Sequence, residues 1–568
     1  MKEVSRFILI TVFLLCGVLN VFAQSEMFLS IPTQATYINE IVMGDTLSDG
    51  SRVANDRVYV LERGGVWFYN GVITNPGWDL NIKASDGDGA LPVVYGVVAE
   101  GGTEVPINFI DAACNVIIKN VAINGIFDLD ESYTSWTYGA PRELIVYNVA
   151  GDFTLDVEGC IFENAYQADL RTFAGIRSIK ATDCIFANNG TAPYQSISNG
   201  RALDLRNVSC DSVLMVNNTF VNTNDRIVRH IASTARLNVF VFDHNTVLNN
   251  GGRYGMLALG LIGDRVQIKN NLLIDPMAFG ADTASQRQYD FTENGETFSD
   301  EITNKVKMAL VYHQKEAEDS TYATDFDIRN NYWYYTEDIL DTWAQIKSIT
   351  DNQTLTMPPA LTDYLASQVD TDIAFIELED GITFTEAPGP MDGMVYWNLS
   401  PAPEGCAEES NGGTAFQDFD RTTTVYNRDE LDCSYPTTSV AYTAGTDGLP
   451  IGDLNWFPDK KADWVNAGGI QVSVETPEVL PNEFSLDQNY PNPFNPTTTI
   501  KFNIPESGMV TLSVFNVLGQ EVAKVVNEEL TAGSHSYSFN ASKLASGVYI
   551  YQLKAQNFIS SKKMMLLK

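Results

Sequence analysis

The feature of the sequence that most constrains the fold is a turn motif that recurs through the middle of the chain. In most copies an Asn, Gly or Asp is followed by Cys, Thr or Asn and then by two apolar or aromatic residues. The copies begin at Asn120, Gly159, Asp183, Asn218, Asn245, Asn270 and Asn330, and three of the six spacings lie between 24 and 27 residues. No helical periodicity is sustained here, so the repeating unit is built from short strands.

A period near 25 residues with three short strands per repeat predicts a right-handed parallel β-helix. Each coil would turn the chain once and stack on the previous coil at about 4.8 Å. Asn suits the turns because it tolerates the left-handed backbone conformation and can hydrogen-bond its equivalent in the next coil. A β-sandwich made of hairpins is the alternative, but it needs Asn-Gly or Asp-Gly turns at intervals of roughly 8–12 residues, and these are sparse.

The N-terminal segment, residues 1–23, has the features of a signal peptide. Lys2 and Arg6 precede the apolar run Phe7–Leu19, and small or branched residues lead to Ala23. A membrane anchor is the alternative, but the apolar run is shorter than the roughly 20 residues that a span needs. We therefore expect an exported protein with no transmembrane anchor.

The remaining chain divides into three predicted segments. Residues 24–280 are the parallel β-helix, residues 281–478 hold further coils with insertions and covering loops, and residues 479–568 form a small β-sandwich. Within the second segment we expect helices at Asp338–Ile349 and Pro359–Val369. The run Ala441–Phe457 is predicted to lie back on the stack and cover it.

Charge separates the same segments. The chain has 36 Lys and Arg against 72 Asp and Glu, for a formal net charge of −36. Residues 24–478 carry −38, whereas residues 479–568 carry seven lysines and six acids. A surface this acidic repels phosphate groups, so a nucleic acid or an anionic membrane is not expected as a partner.

The C-terminal segment alternates apolar and polar residues, which predicts an all-β sandwich of about seven strands. It contains, in order, the motifs Tyr490–Pro496, Val514–Val522, Gly547–Leu553 and Lys562–Lys568. In these motifs the segment resembles the type A sorting domain of the type IX secretion system. The resemblance implies that the secretion machinery is a partner and that the domain takes the rest of the protein across the outer membrane. It also implies that the domain is then removed and that the rest is released or attached to the cell surface.

The middle of the chain, over roughly residues 55–335, resembles the pectate-lyase-like superfamily of β-helices. Many secreted members are lyases or hydrolases of acidic polysaccharides, so the resemblance implies an extracellular polysaccharide as partner, an acidic one being favoured. Separately, we expect a monomeric protein. Phe242-Asp243-His244 resembles the Asp-His part of a pectate lyase motif. That makes His244 a candidate catalytic residue, with a turn residue of the repeat as the alternative.

Four successive coils place an Arg before the next strand, at Arg171, Arg201, Arg226 and Arg253. We expect these side chains to stack in a column. One hypothesis is a ladder that binds the carboxylates of an acidic polysaccharide, since Arg binds carboxylate bidentately. The alternative is internal pairing with nearby acids, for which Asp169, Asp204 and Asp225 are candidates.

If the column is a site, β-elimination is the chemistry that fits it. The reaction needs a cation to neutralise the uronate carboxylate and a base for the C5 proton. Arg226 and Arg253 are the candidate cations, and Arg229, His230 or Tyr254 could supply the base. Arg171 and Arg201, with Tyr254, are candidate substrate-binding residues. The competing hypothesis is a non-catalytic adhesion or structural protein.

No cofactor is firmly predicted. Calcium has two candidate positions, Asp86-Gly87-Asp88-Gly89 and the group Asp128, Asp130 and Glu131, with solvated turns as the alternative. Six cysteines remain after removal of the signal peptide, and they allow 15 pairings. Cys406 with Cys433 is the favoured pair because the two are close in sequence.

Overall fold

The computed structural model describes most of the β-helix and of the C-terminal segment. The described residues are 26–102, 105–125, 140–190, 200–230, 235–252, 255–278, 292–293, 296–297, 310–312, 324–349, 361–386, 431–469, 484–486, 489, 492–517, 519–530, 533–556 and 558–567. The chain divides into two compact units, Met1–Ile470 and Gln471–Lys568.

The first unit contains three parallel sheets whose strands alternate along the chain, so that most coils contribute one strand to each sheet. Sheet A consists of β1 Glu26–Leu29, β2 Val58–Leu61, β5 Leu80–Ala84, β8 Val116–Lys119, β11 Gly151–Glu158, β14 Ile176–Thr182, β17 Cys210–Val216, β20 Leu237–Asp243, β23 Ile262–Lys269 and β28 Asp325–Arg329. Sheet B consists of β3 Val66–Tyr69, β6 Val93–Gly96, β9 Ala122–Asn124, β12 Ile161–Glu163, β15 Ile185–Asn189, β18 Thr219–Thr223, β21 Thr246–Asn250, β24 Leu272–Ile274, β29 Asn331–Tyr334 and β30 Phe375–Glu377. Sheet C consists of β4 Ile73–Thr74, β7 Asn108–Ala112, β10 Glu143–Tyr147, β13 Ala168–Thr172, β16 Arg201–Asp204, β19 Val228–Arg229, β22 Leu257–Ala258 and β27 Val311–Tyr312. The predicted right-handed parallel β-helix is confirmed.

Apolar side chains from equivalent positions stack inside the coils. In sheet B, Phe162, Phe186 and Phe220 lie in register, with ring centroids 5.2 Å apart from one coil to the next. Phe242 of sheet A continues the aromatic stack at 5.7 Å from Phe220. All four rings are fully buried, so one continuous apolar column runs along the axis of the helix.

The recurrent turn motif marks the turn between sheet A and sheet B. The residues with positive φ at this turn are Asn120, Gly159, Asp183, Asn217, His244, Asn270 and Asn330. Two of the predicted anchors, Asn218 and Asn245, are therefore wrong by one residue, because Asn217 and His244 adopt the left-handed conformation instead. Asn218 and Asn245 are the next residues along, and their side chains point into the helix.

These two asparagines belong to an internal ladder that crosses four coils. The side-chain amide of Asn218 donates to Oδ1 of Asn245 at 3.0 Å, that of Asn245 to Oδ1 of Asn271 at 3.1 Å, and that of Asn271 to Oδ1 of Asn331 at 2.7 Å. Each of these four amides also donates to a backbone carbonyl of a neighbouring coil. The ladder thus satisfies polar groups that the turn buries.

We expect Asn245→Ala to lower the free energy of unfolding by about 2–4 kcal/mol, because it orphans donors and acceptors on both neighbouring rungs. Asn238→Ala is the matched control, since the amide of Asn238 makes only a 3.4 Å contact with Asp211 near solvent. Urea denaturation of both variants tests the ladder. Equal stability of the two variants would show that the buried rung contributes nothing.

Short helices lie at both ends of the stack. Helix α1, Ile38–Gly44, packs against β3 and β4 of the first coil. Helix α2, Glu337–Ile349, confirms the first predicted helix, and α3, Asp363–Ala366, falls inside the second predicted range. Helix α4, Thr371–Ala374, leads into β30. A two-stranded hairpin pairs β25 Thr292–Glu293 with β26 Glu296–Thr297.

Residues 431–469, here called the strap, lie against the outer face of sheet B. The strap contains 3-10 turns at Val440–Thr443, Thr446–Gly448 and Leu454–Trp456, followed by helix α5, Pro458–Asn466. Its buried apolar residues, among them Ala441, Ile451 and Phe457, form one cluster with Ala187, Val221, Leu248, Leu272 and Ile274 of sheet B. The predicted covering run is therefore present, and it covers the side of the stack.

The second unit is a seven-stranded β-sandwich in the part of the chain that the structure describes. Its three-stranded sheet has the order β31 Ser485–Leu486, β32 Thr497–Ile504, β35 Gly533–Asn540, and its four-stranded sheet has the order β34 Glu521–Leu530, β33 Gly508–Asn516, β36 Gly547–Ala555, β37 Phe558–Leu566. Both sheets are antiparallel and share one apolar core that includes Phe502, Leu512 and Tyr551.

Candidate functional site

Sheet C brings Arg171 of the candidate column into direct register with an acid and a further arginine. Arg171 of β13 pairs with Asp204 of β16, which pairs with Arg229 of β19. The residues before Asp204 and Arg229, Leu203 and Val228, belong to the apolar core. Because side chains alternate along a strand, Asp204 and its two in-register neighbours point away from the core.

Asp204 is the centre of an ion-pair network that three arginines enter from three coils. Its carboxylate lies 3.1 Å from Nε of Arg171, 3.7 Å from Nη1 of Arg201 and 2.7 Å from Nη2 of Arg229. Nε of Arg229 also donates to Oδ1 of Asp204 at 2.8 Å. The arginine side chains are at most 6% exposed, and that of Asp204 is fully buried.

Two further buried acids extend the network. Asp225 lies 2.7 Å from Nη2 of Arg201 and 3.5 Å from Nε of Arg226. Glu143 of β10 lies 2.5 Å from Nη1 of Arg171 and 2.9 Å from Nε of Arg142. The column therefore alternates guanidinium and carboxylate groups, and this alternation removes the repulsion that stacked arginines alone would have.

The network holds both kinds of group in their charged forms. Burial by itself raises the pKa of Asp204, but the surrounding Arg229, Arg201 and Arg171 outweigh burial and hold that pKa below its ordinary value. Burial and the neighbouring Arg229 lower the pKa of Arg201 to about 10. At neutral pH the carboxylate is thus ionised and the guanidinium protonated.

The predicted site residues are distributed as follows. Arg171, Arg201, Arg226 and Arg229 come together in the network, buried against carboxylates of their own or neighbouring coils. Arg253 and Tyr254 lie outside the described residues. An aromatic ring that the sequence analysis did not single out, Phe173, is 39% exposed and lies 4.3 Å from the guanidinium of Arg171.

His230 is the residue after Arg229, which ends β19, and its ring faces the interior. Its ring is fully buried, with Nδ1 3.0 Å from the carbonyl oxygen of Leu259 and Nε2 3.1 Å from that of Val208. Burial lowers the pKa of His230, and the two backbone carbonyl oxygens partly oppose this shift. The described contacts of its ring nitrogens are thus to backbone, and its proposed role as a base stays a prediction.

His244 is the turn residue with positive φ and lies beneath the strap. Its Nδ1 is 3.3 Å from the carbonyl oxygen of Gly452, and its ring centroid is 6.1 Å from that of Trp464. Burial lowers the pKa of His244 despite the neighbouring Asp243. The structure therefore places His244 in contact with the strap, apart from the sheet C network.

Of the three acids suggested as internal partners, Asp204 and Asp225 are in the network and Asp169 makes a different contact. Asp169 is fully buried and accepts a hydrogen bond from the side-chain amide of Asn189. Burial raises the pKa of Asp169 well above its ordinary value. Glu143, which reaches Arg171 from the preceding coil of sheet C, was not predicted from the sequence.

A second buried polar site joins the strap to sheet B. Oδ2 of Asp453 accepts a hydrogen bond from the hydroxyl of Thr219 at 2.7 Å, and its backbone N–H donates to the hydroxyl of Thr246 at 2.9 Å. Trp456 donates from Nε1 to the same Thr219 hydroxyl at 2.9 Å. Lys461 closes the edge of this site through an ion pair with Asp183 at 2.8 Å.

Burial raises the pKa of Asp453 to about 7, and this makes strap docking depend on pH. Between pH 4 and 7 the folded chain retains a proton at Asp453 that the unfolded chain has lost. Stability should therefore fall as the pH rises through this window, by roughly 2–4 kcal/mol from this group. We expect Asp453→Asn to remove that contribution, as measured by the difference between the pH profiles of melting for the wild type and the variant. Parallel profiles would contradict the prediction.

The candidate calcium positions gain no support from the described residues. Asp86 and Asp88 lie in an exposed turn, and Asp128, Asp130 and Glu131 lie outside the described residues. Within the described part of the chain, no three His, Cys, Asp or Glu side chains group in a way that could hold a metal ion. Cys433 is buried with a free thiol. Its predicted partner, Cys406, lies outside the described residues.

The outer face of sheet A, here called the sheet A face, differs from the buried network. It carries half-exposed charged side chains on successive coils, among them Lys119, Glu158, Asp156 and Lys180. Lys119 lies directly opposite Glu158 and pairs with it at 2.6 Å, and Lys180 pairs with Asp156 at 3.6 Å. Further along the face, Arg265 pairs with Asp325 at 3.4 Å.

Comparison with known proteins identifies the second unit. Residues 488–567 match the family model described as a secretion system C-terminal sorting domain. No curated protein matches the chain. None of the described helices has the length and apolar character needed to cross a membrane. The sorting domain indicates export through the type IX secretion system to the cell surface or the medium, and implies that the secretion machinery is a partner.

Proposed function

We propose that this is an exported β-helix protein that binds an extracellular polysaccharide along the sheet A face without cleaving it. The observation that carries the proposal is the burial of the described candidate cations against acids of the same fold. Arg226 and His230 are fully buried, so neither reaches a sugar in this conformation. β-Elimination needs both a cation and a base in contact with the uronate.

The sheet A face suits an extended chain ligand. Its ten strands, stacked at about 4.8 Å, give a length of about 43 Å. Acids and lysines alternate along it, so sugar hydroxyls meet both acceptors and donors. A half-exposed ion pair contributes at most about 1 kcal/mol, so Lys119 or Lys180 can exchange its acid partner for a ligand carboxylate at small cost. That exchange supports the preference for an acidic polysaccharide.

Affinity electrophoresis in gels containing pectate, alginate, chondroitin or a neutral glucan tests the proposal. We expect an acidic polysaccharide to retard the protein, and the double variant Lys119→Ala/Lys180→Ala to lose most of this retardation without a change in melting temperature. Lys460→Ala is the matched control, because Lys460 is a partly exposed lysine on α5, away from the sheet A face. Unretarded migration in every gel, or equal retardation of the double variant and the wild type, would contradict the proposal.

A further inference from the structure

Two cysteines occupy the same position on adjacent coils. Cys160 and Cys184 each follow the residue with positive φ at the turn into sheet B, Gly159 and Asp183 respectively. The next residues, Ile161 and Ile185, pair in register. The N–H of Ile185 donates to the carbonyl oxygen of Cys160 at 2.9 Å, so the two turns stack directly.

Both thiols point into the β-helix. Cys160 and Cys184 are fully buried members of the apolar core. They occupy the positions that the asparagine ladder fills in the following coils, and the N–H of Cys184 donates to Oδ1 of Asn218 at 3.0 Å. In this structure both are free thiols: Sγ of Cys160 donates to the carbonyl oxygen of Ile118 at 3.3 Å, and Sγ of Cys184 donates to that of Thr182 at 3.2 Å. Burial raises the pKa of Cys184 well above its ordinary value, and the interaction with Cys160 adds to the shift.

The spacing of the coils suits a covalent link. Directly opposed residues on neighbouring strands have Cα atoms about 4.8 Å apart, and disulfides span Cα separations of about 4.4–6.8 Å. Cys210 provides the contrast, because its in-register neighbours are Ile176 and Leu237. Among the cysteines that the structure describes, Cys160 and Cys184 are the pair that stacking brings together.

We propose that Cys160 and Cys184 form a disulfide that joins adjacent coils in the exported protein. Export through an outer membrane takes the chain through a compartment in which disulfides form and persist. The oxidant belongs to the class of disulfide-bearing thiol oxidoreductases. One cysteine thiolate attacks that disulfide to form a mixed disulfide, and the second thiolate displaces the oxidoreductase as a dithiol. The two protons lost by Cys160 and Cys184 end on the two thiols of the reduced oxidoreductase, and two electrons pass to it with them.

Because Cys160 and Cys184 are fully buried in the folded chain, the disulfide has to form before these coils close. An oxidoreductase cannot reach side chains with no exposed surface, so exchange precedes closure of these coils. Once closed, the same burial protects the bond from external reductants. The disulfide joins the two coils that precede Asn218. In these coils it replaces the cross-coil hydrogen bonds that the asparagine ladder makes further along.

The test is differential alkylation of the protein recovered from its exporting host. The protein is denatured without reductant and treated with iodoacetamide, then reduced and treated with a second alkylating reagent of different mass. We expect Cys160 and Cys184 to carry only the second reagent, and unreduced digests to contain their two peptides linked, with a mass about 2 Da below the sum of the free peptides. Cys210 is the internal control and should carry the first reagent.

Labelling of both cysteines by the first reagent would overturn the proposal, as would a link from either one to a different cysteine. A second measurement uses stability. Reductant added during denaturation should lower the melting temperature of the wild type by several degrees more than that of Cys160→Ala/Cys184→Ala. An equal effect of reductant on the wild type and the double variant would also contradict the disulfide.

Discussion

Replacing Asp204 with Ala should lower the free energy of unfolding of the β-helix unit by about 3–5 kcal/mol, since removing one partner of a buried ion pair leaves uncompensated buried charge. In this case Arg171, Arg201 and Arg229 all lose the same carboxylate. Urea denaturation followed by circular dichroism measures the change. The effect should be among the largest of any single polar substitution in the unit.

Asp156→Ala is the matched control for this experiment. Asp156 is also an outward-facing acid of the β-helix, but its side chain is 24% exposed and its pair with Lys180 is long, at 3.6 Å. We expect its loss to change stability by less than about 1 kcal/mol. Equal and small effects of the two substitutions would show that the buried arginines do not depend on Asp204.

Deleting the sorting domain should abolish export. A chain that ends at residue 470 keeps the whole β-helix unit but lacks the segment that matches the sorting family. We expect it to accumulate inside the cell envelope, whereas the full-length chain reaches the surface or the medium with its C-terminus trimmed to about residues 470–490. Mass spectrometry of both fractions measures this.

Lys543→Ala, a surface change within the sorting domain, is the control and should be exported normally. Export of the truncated chain would contradict the sorting role. So would an intact Lys568 on most of the exported molecules.

The architecture was predictable because the turns carry a local signal. A left-handed turn every 25 or so residues needs Asn, Asp or Gly, and Asn120, Gly159, Asp183 and Asn270 meet that need. At two coils the predicted turn residue is wrong by one position, and the reason is physical. At each of them an Asn follows the true turn residue, Asn217 or His244, and it serves the internal ladder. Asn is thus suited both to the left-handed turn and to the ladder position that follows it, and the sequence alone does not distinguish the two roles.

The candidate site was predictable in its residues and less so in its geometry. The recurrence of Arg gave Arg171, Arg201 and Arg226, but the prediction that each precedes a strand is wrong for two of them: Arg171 lies inside β13 and Arg201 begins β16. Their partners depend on the register between coils, which local sequence does not determine: Glu143 contacts Arg171 across 28 residues. The opposite orientations of Arg229 and His230 follow from strand alternation, which becomes clear only once β19 is located.

The strap was predicted as a covering segment, but its polar anchor was not. Asp453 and Thr219 are 234 residues apart, and neither lies in a motif that suggests the other. The chain has 72 Asp and Glu residues, so the sequence gives no reason to single out Asp453. Only the folded structure distinguishes it, by complete burial beside Thr219.

The most direct test of non-catalytic binding is an absorbance assay for the unsaturated product of β-elimination. The exported protein is incubated with pectate, alginate and chondroitin, with and without calcium, beside the variant Arg226→Gln. If the sheet C network is structural, none of these mixtures yields product, and the variant differs from the wild type only in a lower melting temperature. Product formation by the wild type that Arg226→Gln abolishes, with an unchanged melting temperature, would contradict this and make the arginine column an active site.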